Sequence, residues 1–195
     1  AAEGRLRIEL RNAASQLLDV QIHRFTIAQT QAVAASDKVS VAQGRFMLGG
    51  QRWYPHGVHF WMPFLAGLED GGRNWHNWLS PAIYDPQIAE HDLGMLAQMG
   101  FTAVVAPYRS AGEASCVQDF LQRCARHGLK CMLYFENAHP LTYNLSALNQ
   151  MMSAAGLAHQ SALFAMDLAW EPHLGPRADR VSLDATCTQW VTAQY

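Results

Sequence analysis

The chain is poor in the features that usually assign a function at sight. Only 15% of its 195 residues are charged, and 14 Lys and Arg against 16 Asp and Glu leave a net charge of -2. Without a basic surplus there is no cationic face to lay along a phosphate backbone, so nucleic acid is not an expected partner. The longest apolar runs, such as "TAVVAP" and "SALFAM", fall far short of the roughly 20 residues that cross a bilayer. No basic segment followed by an apolar core opens the chain, which starts "AAEGRL" without Met; a processed or excised segment is expected. The cysteines at 116, 124, 131 and 187 form no CxxC pair. That removes the common zinc pattern and leaves buried free thiols as the expectation, with a Cys131–Cys187 or other disulfide open. No cofactor is implied.

What is present is a globular chain, 50% hydrophobic, long enough to bury one sizeable core with a small appendage. "RLRIELR" alternates Leu6, Ile8 and Leu10 with charge, the mark of a half-buried strand. "LLDVQIHRFTIA" supplies a second strand whose apolar phase slips from Val20 and Ile22 to Phe25, which predicts a bulge near His23 and Arg24. "AQTQAVAASDK" has the composition of a linker. "GRFMLGGQRWYP" is a hairpin signal across Gly49 and Gly50. We therefore expect residues 1–43 to be the end of a β-domain plus linker, and a second domain from 44 to 195.

From His56 onward the texture becomes a repeat. "DPQIAEHDLGMLAQMG" begins with Asp85 as N-cap and Pro86 as first helical residue, and stops at Gly100. "EASCVQDFLQRCARHG" repeats the design and stops at Gly128. "LSALNQMMSAAGLA" makes a third helix. Strands are expected at "HGVHFW", "FTAVVAP", "LKCMLYF" and "ALFAMDLAW", giving a parallel sheet with right-handed crossovers. Leu129, Cys131, Leu133 and Phe135 oppose Lys130, Met132, Tyr134 and Glu136; Phe164, Met166 and Trp170 oppose Asp167 and Glu171. One apolar and one small or polar face suits a barrel interior better than a sheet buried on both sides. The expected fold is thus a (β/α)8 TIM barrel, represented by about its first four βα units. A whole barrel takes about 250 residues, so a missing half, or self-association in its place, is implied.

Glu171 stands at the carboxyl end of the fourth expected strand, where barrel active sites lie. Shielded by Trp170 and by Trp75 or Trp78, its carboxyl could hold a raised pKa and act as general acid. A loop cap or a pair with Arg177 would explain the same residue. The order of "GRFMLGGQRWYPHGVHFW", "DLGMLAQMGFTAVVAP", "ARHGLKCMLYFENAHP" and "FAMDLAWEP" resembles the N-terminal half of a clan A glycoside hydrolase of the cellulase and mannanase type, over residues 44–195. The resemblance implies that Glu171 is the acid/base of a retaining two-carboxylate mechanism, with the nucleophile outside this chain. Three positions depart from the family pattern: Trp170 replaces the Asn before the acid, Val105 an Arg, and Glu136 a His.

Candidate substrate contacts are Glu136, His139, Trp170 and His173 after the strands, and Trp61, Trp75 and Trp78 as ring platforms. Trp residues are as readily explained by core packing. The nine histidines lack carboxylate or Cys at ligand spacing, so no metal is assigned. Two functions follow: a carbohydrate-active enzyme acting on an oligo- or polysaccharide, or a non-catalytic glycan-binding or assembly protein. An extracellular or periplasmic location follows from that substrate class.

Overall fold

A computed structural model describes residues 2–27, 33–61, 78–135 and 145–167, with Ala185 and Thr188. The chain divides into two compact units, Ala1–Ala32 and Val33–Tyr195.

The first unit is a two-stranded antiparallel sheet of β1 (Ala2–Arg11) and β2 (Leu17–Ile27). The turn is set by Asn12, whose side-chain oxygen accepts from the backbone N–H groups of Ala14 and Gln16, and Ser15 takes φ 62. Pairing runs without a break from Ala2↔Ile27 to Leu10↔Asp19, and the irregularity falls between Leu10 and Arg11. The bulge expected near His23 therefore sits beside the turn instead. The apolar slip at Phe25 marks an unbroken register in which Phe25 faces Gly4.

In the second unit, β3 (Val39–Ala42), β4 (Arg45–Leu48) and β5 (Gln51–Arg52) form an antiparallel sheet in that order. Gly49 (φ 59) and Gly50 (φ 77) make the β4–β5 turn, the two positive φ values that a tight hairpin of matching twist requires. The third sheet is parallel, in the order β6 (Gly57–His59), β7 (Ala103–Tyr108), β8 (Lys130–Phe135) and β9 (Leu163–Asp167).

Helices α1 (Pro86–Gln98), α2 (Ala114–Arg126) and α3 (Leu145–Ala154) precede β7, β8 and β9. Asp85 caps α1 by accepting from the N–H groups of Gln87 and Ile88 at 2.8 and 3.2 Å. Both α1 and α2 end by the same device. Gly100 (φ 87) and Gly128 (φ 70) turn left-handed, so that Gly100 and Phe101 donate to Ala97 and Leu96, and Gly128 and Leu129 to Ala125 and Cys124. This paired closure satisfies the last carbonyls and feeds the chain directly into the next strand.

The three helices share one core with one face of the parallel sheet. Ala89 and Leu93 of α1, Val117, Phe120, Leu121 and Cys124 of α2, and Leu148 and Met151 of α3 join Phe60, Val104, Ala106, Tyr108, Cys131, Leu133 and Phe135. The period-2 alternation of the strands selects this set.

The barrel expectation is not met. Among the described residues there are three separate sheets and three helices, and the parallel sheet is an open four-stranded array. Barrel closure gives every strand two neighbours, whereas among the described residues β6 pairs only with β7 and β9 only with β8. The fold is mixed α/β with one parallel sheet. No helix among the described residues is long and apolar enough to cross a membrane.

Candidate functional site

The face of the parallel sheet turned away from the helices carries the chemistry. Parallel register places His59, Val105, Met132 and Ala165 in one row across the four strands. The next row toward the carboxyl ends contains Pro107, Tyr134 and Asp167, with Trp61 continuing β6 two residues beyond His59. Phe60 keeps β6 in register that far by donating to the Val105 carbonyl at 2.8 Å.

A bulge decides which side chains reach this face. Cys131 pairs with Leu163 and Met132 with Ala165, so Phe164 is the extra residue. Leu163 and Met166 pack on the helix-side core, while Phe164 meets Trp53 and Phe46 at ring-centroid distances of 5.2 and 6.2 Å. The expected common face of Phe164 and Met166 is thus split by the bulge. Asp167 arrives on the open side beside Tyr134.

The amino end of this face is filled. Phe46, Trp53 and Phe164 form an edge-to-face trio. Lys130, only 9% exposed, donates to the carbonyls of Asp37 at 2.6 Å and Ser161 at 2.7 Å. Burial pulls its pKa below the usual lysine value, partly countered by the Asp37 charge. These two carbonyls take two of the three ammonium hydrogens and do not fully replace its hydration.

The carboxyl end is aromatic and polar. Trp61, His59 and Tyr134 form a triangle of rings with centroids 6.4 to 6.5 Å apart. The His59 and Trp61 planes lie within 8° of parallel. Tyr134 is fully buried yet belongs to this face and not to the helix-side core. Arg109, one residue past β7, is held through its backbone N–H, which donates to the buried Glu113 carboxylate at 2.8 Å.

Of the residues singled out in the sequence, Trp61 and Trp78 lie within the described residues. Trp61 is half-buried, in ring contact with His59 and Tyr134, and also packs against the helix-side core. Trp78 is 1% exposed in the helix-side core, with Phe60, Phe120 and Tyr84 around it at 5.3, 5.1 and 6.4 Å. Its rings are used up by protein contacts, which corrects its reading as a sugar platform. Glu136, His139, Trp75, Trp170, Glu171 and His173 lie outside the described residues, as does Cys187. Cys116, Cys124 and Cys131 are free thiols, and burial raises the Cys124 thiol well above its ordinary pKa. No group of three His, Cys, Asp or Glu side chains suited to a metal occurs among the described residues.

Sequence reasoning passed over His59, Tyr134 and Asp167 as site residues. The strand alternation contained the signal for Tyr134 and Asp167, which share a face by period 2. An ion-pair network on the helices links α1 to α2. Tyr84 donates to Asp119 at 2.7 Å, Arg123 joins Asp119 and Glu90, and Arg126 and His127 also meet Glu90. Burial and the Asp119 charge hold the Tyr84 phenol protonated.

Compared with protein-family models, with curated proteins and with solved structures, the chain matches none.

Proposed function

We propose that this chain is part of a carbohydrate-active protein, and that sugar binds at the carboxyl ends of the parallel strands. The observation that supports this reading is the pairing of Tyr134 with Asp167 at those ends, with the Trp61 ring 6.4 Å from that of Tyr134. Flat aromatic rings beside a carboxylate suit a pyranose, which has an apolar C–H face and hydroxyls at its rim.

In this reading Glu171, four residues beyond the end of β9, is the acid/base that protonates the leaving glycosidic oxygen. Glu136 follows the last residue of β8 and acts on a substrate hydroxyl or on the Glu171 charge. His139, Trp170, Trp75 and His173 add contacts to the sugar. Retaining hydrolysis needs a second carboxylate about 5 to 5.5 Å from the first, and the proposal places that nucleophile outside residues 1–195. The family resemblance noted above supports this assignment.

Glu171→Gln provides the test in the protein that carries these residues. Hydrolysis of glycosides with poor leaving groups is expected to fall on the order of a hundredfold, since general acid catalysis typically contributes that much or more. Activated aryl glycosides, which need no protonation, should fall far less. Equal losses on both would remove the acid role. Trp170 in place of the family Asn favours a second reading, glycan binding without hydrolysis, which predicts oligosaccharide binding with no turnover in either protein.

A further inference from the structure

The hairpin of β1 and β2 is matched poorly within the chain and well with a second copy of itself. We infer that two copies of the chain associate edge to edge through β1, antiparallel and with Arg7 on the two-fold axis, so that their hairpins make one four-stranded sheet. The inference is independent of the sugar reading.

Directly opposed side chains on neighbouring strands are the pairs that stabilise a sheet. Within the hairpin Leu6 faces His23, Ile8 faces Gln21 and Leu10 faces Asp19, so each aliphatic residue of that row meets a polar one. Leu6, Ile8 and Leu10 stay 51%, 51% and 60% exposed. On the other face Arg7 meets Ile22, Glu9 meets Val20 and Arg5 meets Arg24. Like charges set directly opposite are destabilising. Ion pairs among the described residues of this unit join Glu9 to Arg7 and to Arg11, both at 2.7 Å, and leave out Arg5 and Arg24.

The sheet has only these two strands, and a hairpin alone is a marginal unit in water. The outer side of β1 carries backbone N–H and C=O groups that no described strand takes up. Such an edge is a template for another strand, whose own edge supplies the missing donors and acceptors.

Register selects the partner. A two-fold axis through the sheet keeps like faces together, so period 2 pairs even positions with even and odd with odd. With the axis at Arg7, Arg5 of each copy stands opposite Glu9 of the other, and Leu6 stands opposite Ile8. Each contact occurs twice. Each Arg7 keeps its own Glu9 at 2.7 Å, which offsets the single like-charge contact on the axis. An axis at Ile8 would match Arg7 with Glu9 but set Arg5 against Arg11. An axis at Leu6 would set Arg5 against Arg7, and one at Glu9 would oppose two acids. Of these, only the Arg7 axis gives Arg5 an opposite charge. The edge of β2 cannot do the same for Arg24, because Asp19, five residues away, belongs to the other face.

Sedimentation equilibrium at rising protein concentration tests the pairing. Arg5→Glu would bring acid against acid across the join, and Glu9→Arg base against base. Each variant alone is expected to dimerise about tenfold more weakly than wild type. An equal mixture of the two variants places opposite charges at both contacts of the mixed dimer and should associate about as tightly as wild type. Lys38→Glu makes the same charge change at an exposed residue outside the hairpin and should leave association unchanged. Hydrogen exchange locates the join, since β1 amides should gain protection as concentration rises. Thermal melts separate unfolding from lost association, and if Glu9→Arg unfolds, Arg5→Glu and the exchange pattern decide. A monomeric wild type, a dimer equally tight in every variant, or concentration-dependent protection on β2 in place of β1 would each overturn the inference. Protection of β1 that ignores concentration would assign its edge to another segment of the same chain and overturn it as well.

Discussion

Arg123 grips Asp119 one turn earlier in α2 through two hydrogen bonds, 2.6 Å from Nε and 3.1 Å from a terminal nitrogen to opposite carboxylate oxygens. The remaining guanidinium nitrogen reaches Glu90 of α1 at 2.7 Å. Arg123 thereby joins Arg126 and His127 in tying α2 to Glu90 of α1. Its side chain is 13% exposed, so the network is shielded more than a surface ion pair would be.

Arg123→Ala leaves Asp119 with Tyr84 and Glu90 with Arg126 and His127, and the loss of three hydrogen bonds to charged groups is expected to cost about 1 to 2 kcal/mol in urea unfolding. Arg123→Lys keeps the charge but loses the planar fork, and should recover less than half of that loss.

Glu90 gives a pH signature. Burial would raise its carboxyl, but hydrogen bonds from Arg126 and His127 and the charges of Arg126 and Arg123 outweigh it and hold the group below its ordinary value of 4.5. A carboxyl depressed in the folded state stabilises it above the unfolded pKa, and that contribution fades as pH falls through the folded value. The stability difference between wild type and Glu90→Gln should be constant above about pH 6 and shrink toward about pH 3. A difference independent of pH over that window would remove Glu90 from the network.

Trp78 separates core from surface among the tryptophans. Trp78→Ala is expected to cost about 3 to 5 kcal/mol, visible as a large drop in melting temperature. Trp61→Leu, at a half-buried position on the open face, should cost about 1 kcal/mol or less.

The helix stops make a third class. At Gly100 and Gly128, φ of 87 and 70 is strained for any L side chain, although no atom lies within 4 Å of a Cβ added there. Alanine at either is expected to cost about 1 kcal/mol through backbone strain alone. Equal melting temperatures for wild type and Gly128→Ala would refute that assignment.

Local signals in the sequence were readable where one residue type has one job. Asp85, Pro86, Gly100 and Gly128 marked the helix ends, and the Gly49–Gly50 pair marked its hairpin. The alternation of Leu129 to Phe135 identified the helix-covered face of β8. Closure of the sheet was not readable, because pairing of β6 and β9 with further strands depends on contacts that no local pattern encodes. The β9 bulge was equally hidden, since Leu163 and Phe164 are both apolar and periodicity cannot say which is the extra residue. Trp78 and Trp61 looked alike for a related reason. Composition gives both as aromatic, and only packing against Phe60 and Phe120 sends Trp78 inward.

The supernumerary Phe164 acts on β9 like a frameshift confined to one strand. Were Phe164 kept but the bulge ironed out, inside and outside would exchange at every later position of β9, turning Asp167 toward the hydrocarbon layer beneath the helices and lifting Met166 to the opposite surface; deleting Phe164 would instead leave Leu163, Ala165, Met166 and Asp167 opposite their present partners. A chain lacking that one residue would thus run straight and still deliver its carboxylate to the same side of the sheet.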